Sequence, residues 1–389
     1  MGQIENNDVK AVKRRRKKYF KETILAFEEK FSWLGHQAAR ELLMSAASWN
    51  IEEYSDPPFR YRTHVMLAWR RGWFKSTILK RMASIIGDEN HSVCGKVTDA
   101  AIRGSMSGQT FTPPKVLKAP ILVSTEYGQT NFEEELLNTF LALLEEGETN
   151  ISMNKIGALT DKGRDKAESD YKGRVEFKDE NEFDLKANFV FWGGTYDPSK
   201  LQDDALRSRF NIVTPAKSLD YQITYCADRN KFYLDPQVAK GIRQELRRDM
   251  PMETDFTPPK SLYKKYNLEP RESAPLQSYM ACRNWWGLPT DPDIMENFLK
   301  NLKKSRRLAK MSPSDRVFDL IFDNPMSYDE LEQKTGYDTK EIYTHLENIP
   351  NATRIPSSMT ESGEVKWVVY SKGEDEVRDS LREKFGKNS

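Results

Sequence analysis

The sequence predicts an α/β region with a largely parallel sheet, followed by a helical region and a small separate module. Three observations predict this. Apolar runs at His64-Val-Met-Leu-Ala68, Ala119-Pro-Ile-Leu-Val-Ser124 and Ala187-Asn-Phe-Val-Phe-Trp192 alternate with helical stretches near 76–86 and 132–146. Such alternation reads as parallel strands joined by crossover helices. Between the first run and the first helix lies a turn, Trp69-Arg-Arg-Gly72-Trp73-Phe74-Lys75-Ser76-Thr77. Near the C-terminus, helical patterns at 314–322, 327–335 and 339–349 precede β-rich runs at 353–355 and 365–370. Three helices and then a two-stranded ribbon is the winged-helix order.

The chain has 389 residues, enough for two or three domains, and a net charge of +1 that by itself names no partner. With 38% hydrophobic and 11% aromatic residues it is polar but globular. No run reaches the roughly 18–20 apolar residues of a membrane span. The N-terminus is polar and then basic, without the apolar core of a signal peptide. Cys94, Cys226 and Cys282 are far apart, and the four histidines (His36, His64, His91, His345) form no H-E-x-x-H. A disulfide framework and a cysteine zinc site are therefore not expected, and a cytoplasmic protein is.

The elements follow in order. Residues 1–27 form a basic N-terminal arm, with Lys10-Ala-Val-Lys-Arg-Arg-Arg-Lys-Lys-Tyr-Phe-Lys21 at its centre. This is either a solvated tail or an arm that binds phosphates by releasing counterions. Residues 28–215 hold the α/β core, opened by a helix through Phe27, Leu42, Leu43 and Ala46. The charged segment 155–186 is long for a loop and reads as a projecting hairpin or lid. Residues 216–310 are helical with proline-rich breaks at 250–275, and 311–389 hold the C-terminal module and tail. Trp285 and Trp286 are read as core anchors, with base stacking as the alternative.

The chemistry begins at the turn after the first strand. A strand, a turn, Lys-Ser and a helix form the P-loop context, in which helix N-terminal N–H groups cradle phosphates. Gly72, Trp73, Phe74 and Thr77 would line the nucleotide, with Trp73 either stacking on the base or capping the site. Lys75 would meet the β- and γ-phosphates of ATP, and the Ser76 hydroxyl would hold Mg²⁺. The pattern G-x-x-x-x-G-K-[ST] wants glycine where Trp69 and Phe74 stand. The second strand ends in Thr125-Glu126, placing a carboxylate to orient the attacking water and to assist the metal. Thr125 replaces the usual aspartate. The third strand runs into Gly193-Gly194-Thr195, a small polar side chain beside the first two strands, and Leu206-Arg-Ser-Arg209-Phe210 follows it. Arg209 is either surface decoration or a finger that completes a neighbour's site.

In order and spacing these segments resemble the minichromosome maintenance (MCM) AAA+ helicases. His64 through Lys80 resembles their Walker A segment, which itself has a small non-glycine residue before the lysine. Val97-Thr-Asp-Ala-Ala-Ile-Arg103 resembles the segment before the helix-2 insert. Leu143-Leu-Glu-Glu-Gly-Glu148 and Ile151-Ser-Met-Asn-Lys155-Ile-Gly157 resemble the helix after Walker B and the pre-sensor-1 hairpin. Ser208-Arg209-Phe210 matches the arginine-finger motif, and Phe31-Ser-Trp-Leu-Gly35-His36 resembles the lead-in to the ATPase core. The resemblance covers about 28–215 well and 216–310 loosely, as the helical lid. It implies an AAA+ P-loop NTPase core, a winged helix, ATP and Mg²⁺ as cofactors, and a hexameric homo-oligomeric ring around DNA. Lys155 falls on the family's channel lysine, with Lys162, Arg164 and Lys166 beyond it on the hairpin. Arg271, with Arg283 as the other choice, would be the lid arginine facing the nucleotide. Trp69, Thr125 and Thr195 depart from the family's Gly, Asp and Asn, and its large N-terminal zinc and oligonucleotide-binding region has no counterpart among the 27 residues before the core. The pattern looks like a trimmed helicase of prokaryotic, archaeal, viral or plasmid origin.

The leading expectation is an ATP-dependent DNA helicase or translocase of DNA replication. A nucleotide-switch initiator or regulator is the alternative, and a degenerate structural ring is a third. The third C-terminal helix, Thr339–Ile349, is poor in positive charge, which suits protein contact or regulation better than groove reading.

Overall fold

A computed structural model describes residues 2–50, 62–69, 74–107, 110–130, 133–152, 160–179, 182–196, 201, 204–214, 232–248, 256–268, 270–322, 324–335, 337–360 and 362–369. Helix α1 (Gly2–Ser48) comes first and bends at Phe31 and Ser32, where Ser32 takes φ 55°. Val12, Arg16, Phe20, Ile24 and Phe27 are buried along its first limb. Their three- and four-residue spacing places them on one helical face. The basic run is therefore not the free N-terminal arm that its charge suggested. Its apolar residues share one stripe, and that stripe is packed.

Strand β1 (His64–Ala68) leads into α2 (Lys75–Ile86). After β2 (His91–Cys94) and the short α3 (Asp99–Ile102) comes a hairpin of β3 (Ser105–Ser107) and β4 (Thr110–Thr112). β5 (Ile121–Ser124) leads into α4 (Glu134–Glu145), whose first turn carries Glu134 and Glu135 against the helix dipole. An appendage of β6 (Glu148–Ser152), α5 (Asp161–Asp170), β7 (Val175–Phe177) and β8 (Glu182–Lys186) follows. β9 (Val190–Thr195), α6 (Asp204–Arg209) and β10 (Phe210–Val213) complete the region.

The central sheet has the order β10-β1-β9-β5-β2, and every neighbouring pair is parallel. Alternate side chains serve two cores, as the two-residue period of a strand requires. Val65, Leu67, Ile121, Val123, Val190, Trp192 and Val213 face α1, α2 and the later helices. Met66, Leu122, Phe191, Phe210 and Ile212 face α4 and the appendage. Burial on both faces explains why β1, β5 and β9 read as continuous apolar runs. The edge strands were not legible in that way: β2 has Val93 exposed, and β10 is four residues interrupted by Asn211.

The appendage is a three-stranded antiparallel sheet, β6-β8-β7, that carries α5. It begins at Glu148, before the hairpin expected over 155–186. Phe111 of β4 packs edge-on against Tyr171, Phe177 and Phe183, tying the β3–β4 hairpin to it.

Helices α7 (Pro236–Leu246), α8 (Lys260–Tyr266), α9 (Pro270–Trp285) and α10 (Pro292–Lys310) follow. Asp235 and Asp291 cap α7 and α10 ahead of Pro236 and Pro292. Trp285 and Trp286 are both buried, and Trp286 Nε1 donates to the Leu43 carbonyl at 3.0 Å. They are core anchors rather than stacking platforms.

The C-terminal module contains α11 (Pro313–Ile321), β11 (Met326–Ser327), α12 (Tyr328–Thr335), α13 (Thr339–Glu347), β12 (Thr353–Ile355) and β13 (Lys366–Val368). Its antiparallel sheet has the order β11-β13-β12, and Val317, Ile321, Leu331, Ile342 and Leu346 form a core of its own. Ser312 with Asp315, and Asp338 with Glu341, form reciprocal capping boxes that set the starts of α11 and α13. Among the described residues no helix is long and apolar enough to cross a membrane.

Candidate active site

All five central strands run the same way, so the loops after β1, β5 and β9 emerge at one edge of the sheet. The C-terminal edge of a parallel sheet is where ligands of open α/β folds bind. Phe74 precedes α2 in a left-handed conformation (φ 60°, ψ 8°). It occupies the position that the P-loop pattern gives to its second glycine. A side chain there costs about 1–2 kcal/mol. The Phe74 ring packs against Phe31 at the bend of α1, with centroids 5.8 Å apart, which offsets that cost.

Lys75 is the first residue of α2, and its ammonium donates to the Trp69 carbonyl at 2.5 Å. That acceptor is an oxygen of the same lysine's own loop. The Ser76 hydroxyl donates to the Thr125 carbonyl at 2.8 Å, joining the start of α2 to the end of β5. Strand β9 lies between β1 and β5 in the sheet. Its Gly194 comes close to both: a Cβ there would stand 3.6 Å from Lys75 Cβ and 3.8 Å from the Thr125 oxygen. The Trp69 N–H donates to the Thr195 carbonyl at 3.2 Å.

Glu126 follows β5 and is exposed. Its N–H donates to the Gly95 carbonyl at 3.0 Å, and its carboxylate lies beside Gly95. Lys75, Ser76 and Glu126 thus lie along one edge of the sheet. Thr77 is exposed in the first turn of α2. Thr195 is 1% exposed, so it meets the loop through its backbone oxygen while its side chain stays inside.

The chain matches no protein-family model and no curated protein.

Arg209 lies at the other end of the sheet. The register pairs His64, the first residue of β1, with Phe210, which directly follows Arg209. A five-residue strand is about 16 Å long, and that length separates Arg209 from the loop after β1. Its guanidinium donates to the Ala205 carbonyl at 2.6 Å and forms an ion pair with Glu145, the last residue of α4. Beside it, His64 is buried. Its Nδ1 accepts from the Phe191 N–H at 3.0 Å, and its Nε2 donates to the Leu144 carbonyl at 3.0 Å. Burial holds its pKa down to about 3, so the ring is neutral. Sequence reading gave His64 no role. The available signal was an imidazole opening an otherwise apolar strand.

Gly72, Trp73 and Lys155 lie outside the described residues. Arg271 lies within α9, but its side chain is outside them too. Lys162, Arg164 and Lys166 stand on α5, a helix rather than a hairpin strand. Lys162 and Lys166 are exposed, while Arg164 is tied to Asp161. Arg283 donates to the Pro289 carbonyl at 2.7 Å and lines a cleft of about 200 Å³ with Arg40, Glu41, Tyr279 and Lys304. Burial raises the Tyr279 hydroxyl pKa there, while Glu41 raises that of Arg40. Among the described residues no group of three or more His, Cys, Asp or Glu side chains could hold a metal. Ser76 and Glu126 supply hard oxygen donors, which suits Mg²⁺, a cation that keeps several waters and binds few protein ligands.

Proposed function

We propose that the protein is an ATP-dependent DNA translocase of the AAA+ type, similar to the MCM helicases and assembled as a ring. One observation carries this reading. Lys75, Ser76 and Glu126 lie at the C-terminal edge of the sheet, while Arg209 lies at the opposite edge, its side chain 12% accessible and paired with Glu145. The strand order supports it, because β9 is interposed between the strand of the phosphate loop and the strand of the acid. The C-terminal module suits a winged helix, with a small antiparallel sheet behind three helices.

In this reading the N–H groups that open α2 cradle the phosphates. Lys75 exchanges the Trp69 carbonyl for phosphate oxygens, and Glu126 orients the attacking water. Ser76 and Glu126 would hold Mg²⁺, which would neutralise phosphate charge when bound. Arg209 cannot turn to its own subunit's loop, so it serves a neighbour's nucleotide. Lys155, Lys162 and Lys166 would contact the DNA backbone as point charges.

ATP hydrolysis by the purified protein, with and without single-stranded DNA and beside Lys75→Ala, tests the proposal. Hydrolysis that rises with DNA and is lost in the variant is the expected result. Hydrolysis indifferent to both overturns it.

A degenerate ring that binds but does not hydrolyse ATP is the second reading. It is favoured by Thr125 in place of an aspartate and by the inward-facing Thr195. The DNA-reading regulator is less well supported. The exposed residues of α13 include Glu341, Tyr343 and Glu347, with Lys340 as the exposed cation.

A further inference from the structure

The twelve residues from Lys10 to Lys21 hold eight of the chain's 60 basic residues and none of its 59 acidic ones. They form part of one limb of α1, and that limb is fixed in place. Arg16 Nε donates to Glu245 of α7 at 2.9 Å, and its guanidinium lies 3.7 Å from the Trp285 ring centroid. Lys13 donates to Asn284 at 2.9 Å, and the Phe20 and Trp286 rings lie 5.4 Å apart. Two glycines permit this close approach. A Cβ on Gly241 would meet the Tyr19 ring at 2.4 Å, and one on Gly287 would meet the Lys13 carbonyl at 2.6 Å.

The clamp selects which charges face outward. Arg16 is buried and spent on Glu245. Arg15 is exposed but paired with the same Glu245 at 3.6 Å. Of the rest, Lys10, Arg14, Lys18 and Lys21 are exposed, and Lys17 is half-exposed. Lys18 has a loose ion pair with Glu22 at 3.8 Å. The other four have no carboxylate partner among the described residues. Eleven residues of helix separate Lys10 from Lys21, about 16 Å. Over that distance duplex DNA presents about five phosphates on each strand. The five cations and the phosphate ladder therefore match in number and length. A membrane surface fits less well: an interfacial helix needs a free apolar face, and the apolar face here is packed against α7 and α9.

We propose that this outer face of α1 is a rigid ridge, mounted on the helical region, that binds the backbone of duplex nucleic acid without reading its sequence. The proposal rests on the nucleic-acid reading above and adds a contact on α1 to those expected on α5.

The test compares the full-length wild type with a variant carrying Lys10→Gln, Arg14→Gln, Lys17→Gln and Lys21→Gln. The control carries Lys118→Gln, Lys260→Gln, Lys264→Gln and Lys340→Gln, which removes the same charge elsewhere. Affinity for a short duplex, the matching single strand and phosphatidylserine vesicles is measured over a salt series. The ridge variant should lose duplex affinity, and its slope of log K against log salt should fall by about three to four, near 0.9 for each lost phosphate contact. The control should keep the wild-type slope. A ridge variant with the wild-type slope overturns the proposal, as does an equal loss in the control or a loss confined to vesicles or single strands. If the four-site variant misfolds, Lys10→Gln with Lys21→Gln should still lower the slope by about two. Wild-type protein that binds no nucleic acid removes the underlying functional reading as well. DNA-stimulated hydrolysis with an unchanged ridge-variant slope removes the ridge alone.

Discussion

The two ends of the central sheet are built differently. At the C-terminal end the polar side chains reach for backbone oxygens of the loops: Lys75 for Trp69 and Ser76 for Thr125. Phe74 keeps the left-handed turn that opens α2, leaving the first N–H groups of that helix without intrahelical partners. At the N-terminal end the polar groups are closed on one another. His64 uses both ring nitrogens inside the protein, and Arg209 is held by Ala205 and Glu145. One end can exchange its partners for a ligand. The other is closed, with the Arg209 side chain 12% accessible and paired with Glu145. In the proposed ring, Arg209 would have to leave Glu145 to reach a neighbour's ligand.

The largest expected effect tests this division directly. Arg209→Ala should lower turnover by about a thousand-fold or more, as loss of an arginine finger does. ATP affinity should stay close to wild type, because the residue is remote from the loop. Glu126→Gln should likewise bind ATP and fail to turn it over. Mixing the two variants should restore part of the activity, since some interfaces regain an intact glutamate and an intact arginine. If the mixture stays inactive while its particles contain both variants, the two ends do not cooperate between subunits.

Next in size, Lys75→Ala should weaken ATP binding by roughly ten- to a hundred-fold, the range for losing a hydrogen bond to a charged group. Titration with a fluorescent ATP analogue measures it. Unchanged affinity would mean that the C-terminal end is not the nucleotide site.

These two ends were unequally legible in the sequence. β1, β5 and β9 stood out because burial on both faces leaves an unbroken apolar run, and the residues that follow them are the candidates for the site. Lys75 and Glu126 were proposed from the sequence for that reason. The bend of α1 was hidden, because Phe31 and Ser32 carry no proline or glycine to mark it. The buried face of the basic run was hidden for another reason. Val12, Phe20 and Ile24 form a sparse stripe, and Arg16 occupies a core position that Glu245 and Trp285 help to make tolerable. That buried pairing joins residues 229 positions apart. No local pattern reports it.

The sealed end should show itself in the pH dependence of stability. In the unfolded chain His64 takes up a proton near pH 6.5, and in the folded chain only near pH 3. Between those values the unfolded state binds the extra proton. His64 therefore contributes its full stabilising effect above about pH 6.5, and that contribution is lost progressively as pH falls toward 3. The slope approaches about 1.4 kcal/mol per pH unit. Urea midpoints measured from about pH 7 to pH 5 stay above the range where ordinary carboxylates titrate. His64→Leu should lack this part of the slope and be less stable at neutral pH by about 1–3 kcal/mol, because the Phe191 N–H and the Leu144 carbonyl lose their partner. A wild-type slope in the variant would place the titrating group elsewhere.

The smallest expected effect comes from Glu145→Gln, which removes the carboxylate that holds Arg209 in its own subunit. The ion pair has 12% of the Arg209 side chain but 45% of the Glu145 side chain accessible, so solvent at the carboxylate screens it to about 1 kcal/mol. The melting temperature should barely move. The informative readout is turnover at low protein concentration, where subunits meet rarely. If Glu145 competes with a neighbour's nucleotide for Arg209, removing its charge should leave turnover equal or higher and shift half-maximal activity to lower protein concentration. If Glu145 instead positions the arginine for the neighbour, turnover should fall while assembly is unchanged. A fall that Glu145→Asp reverses would establish that positioning role, and the sealed end would then be a prearranged partner of the open one rather than its closed counterpart.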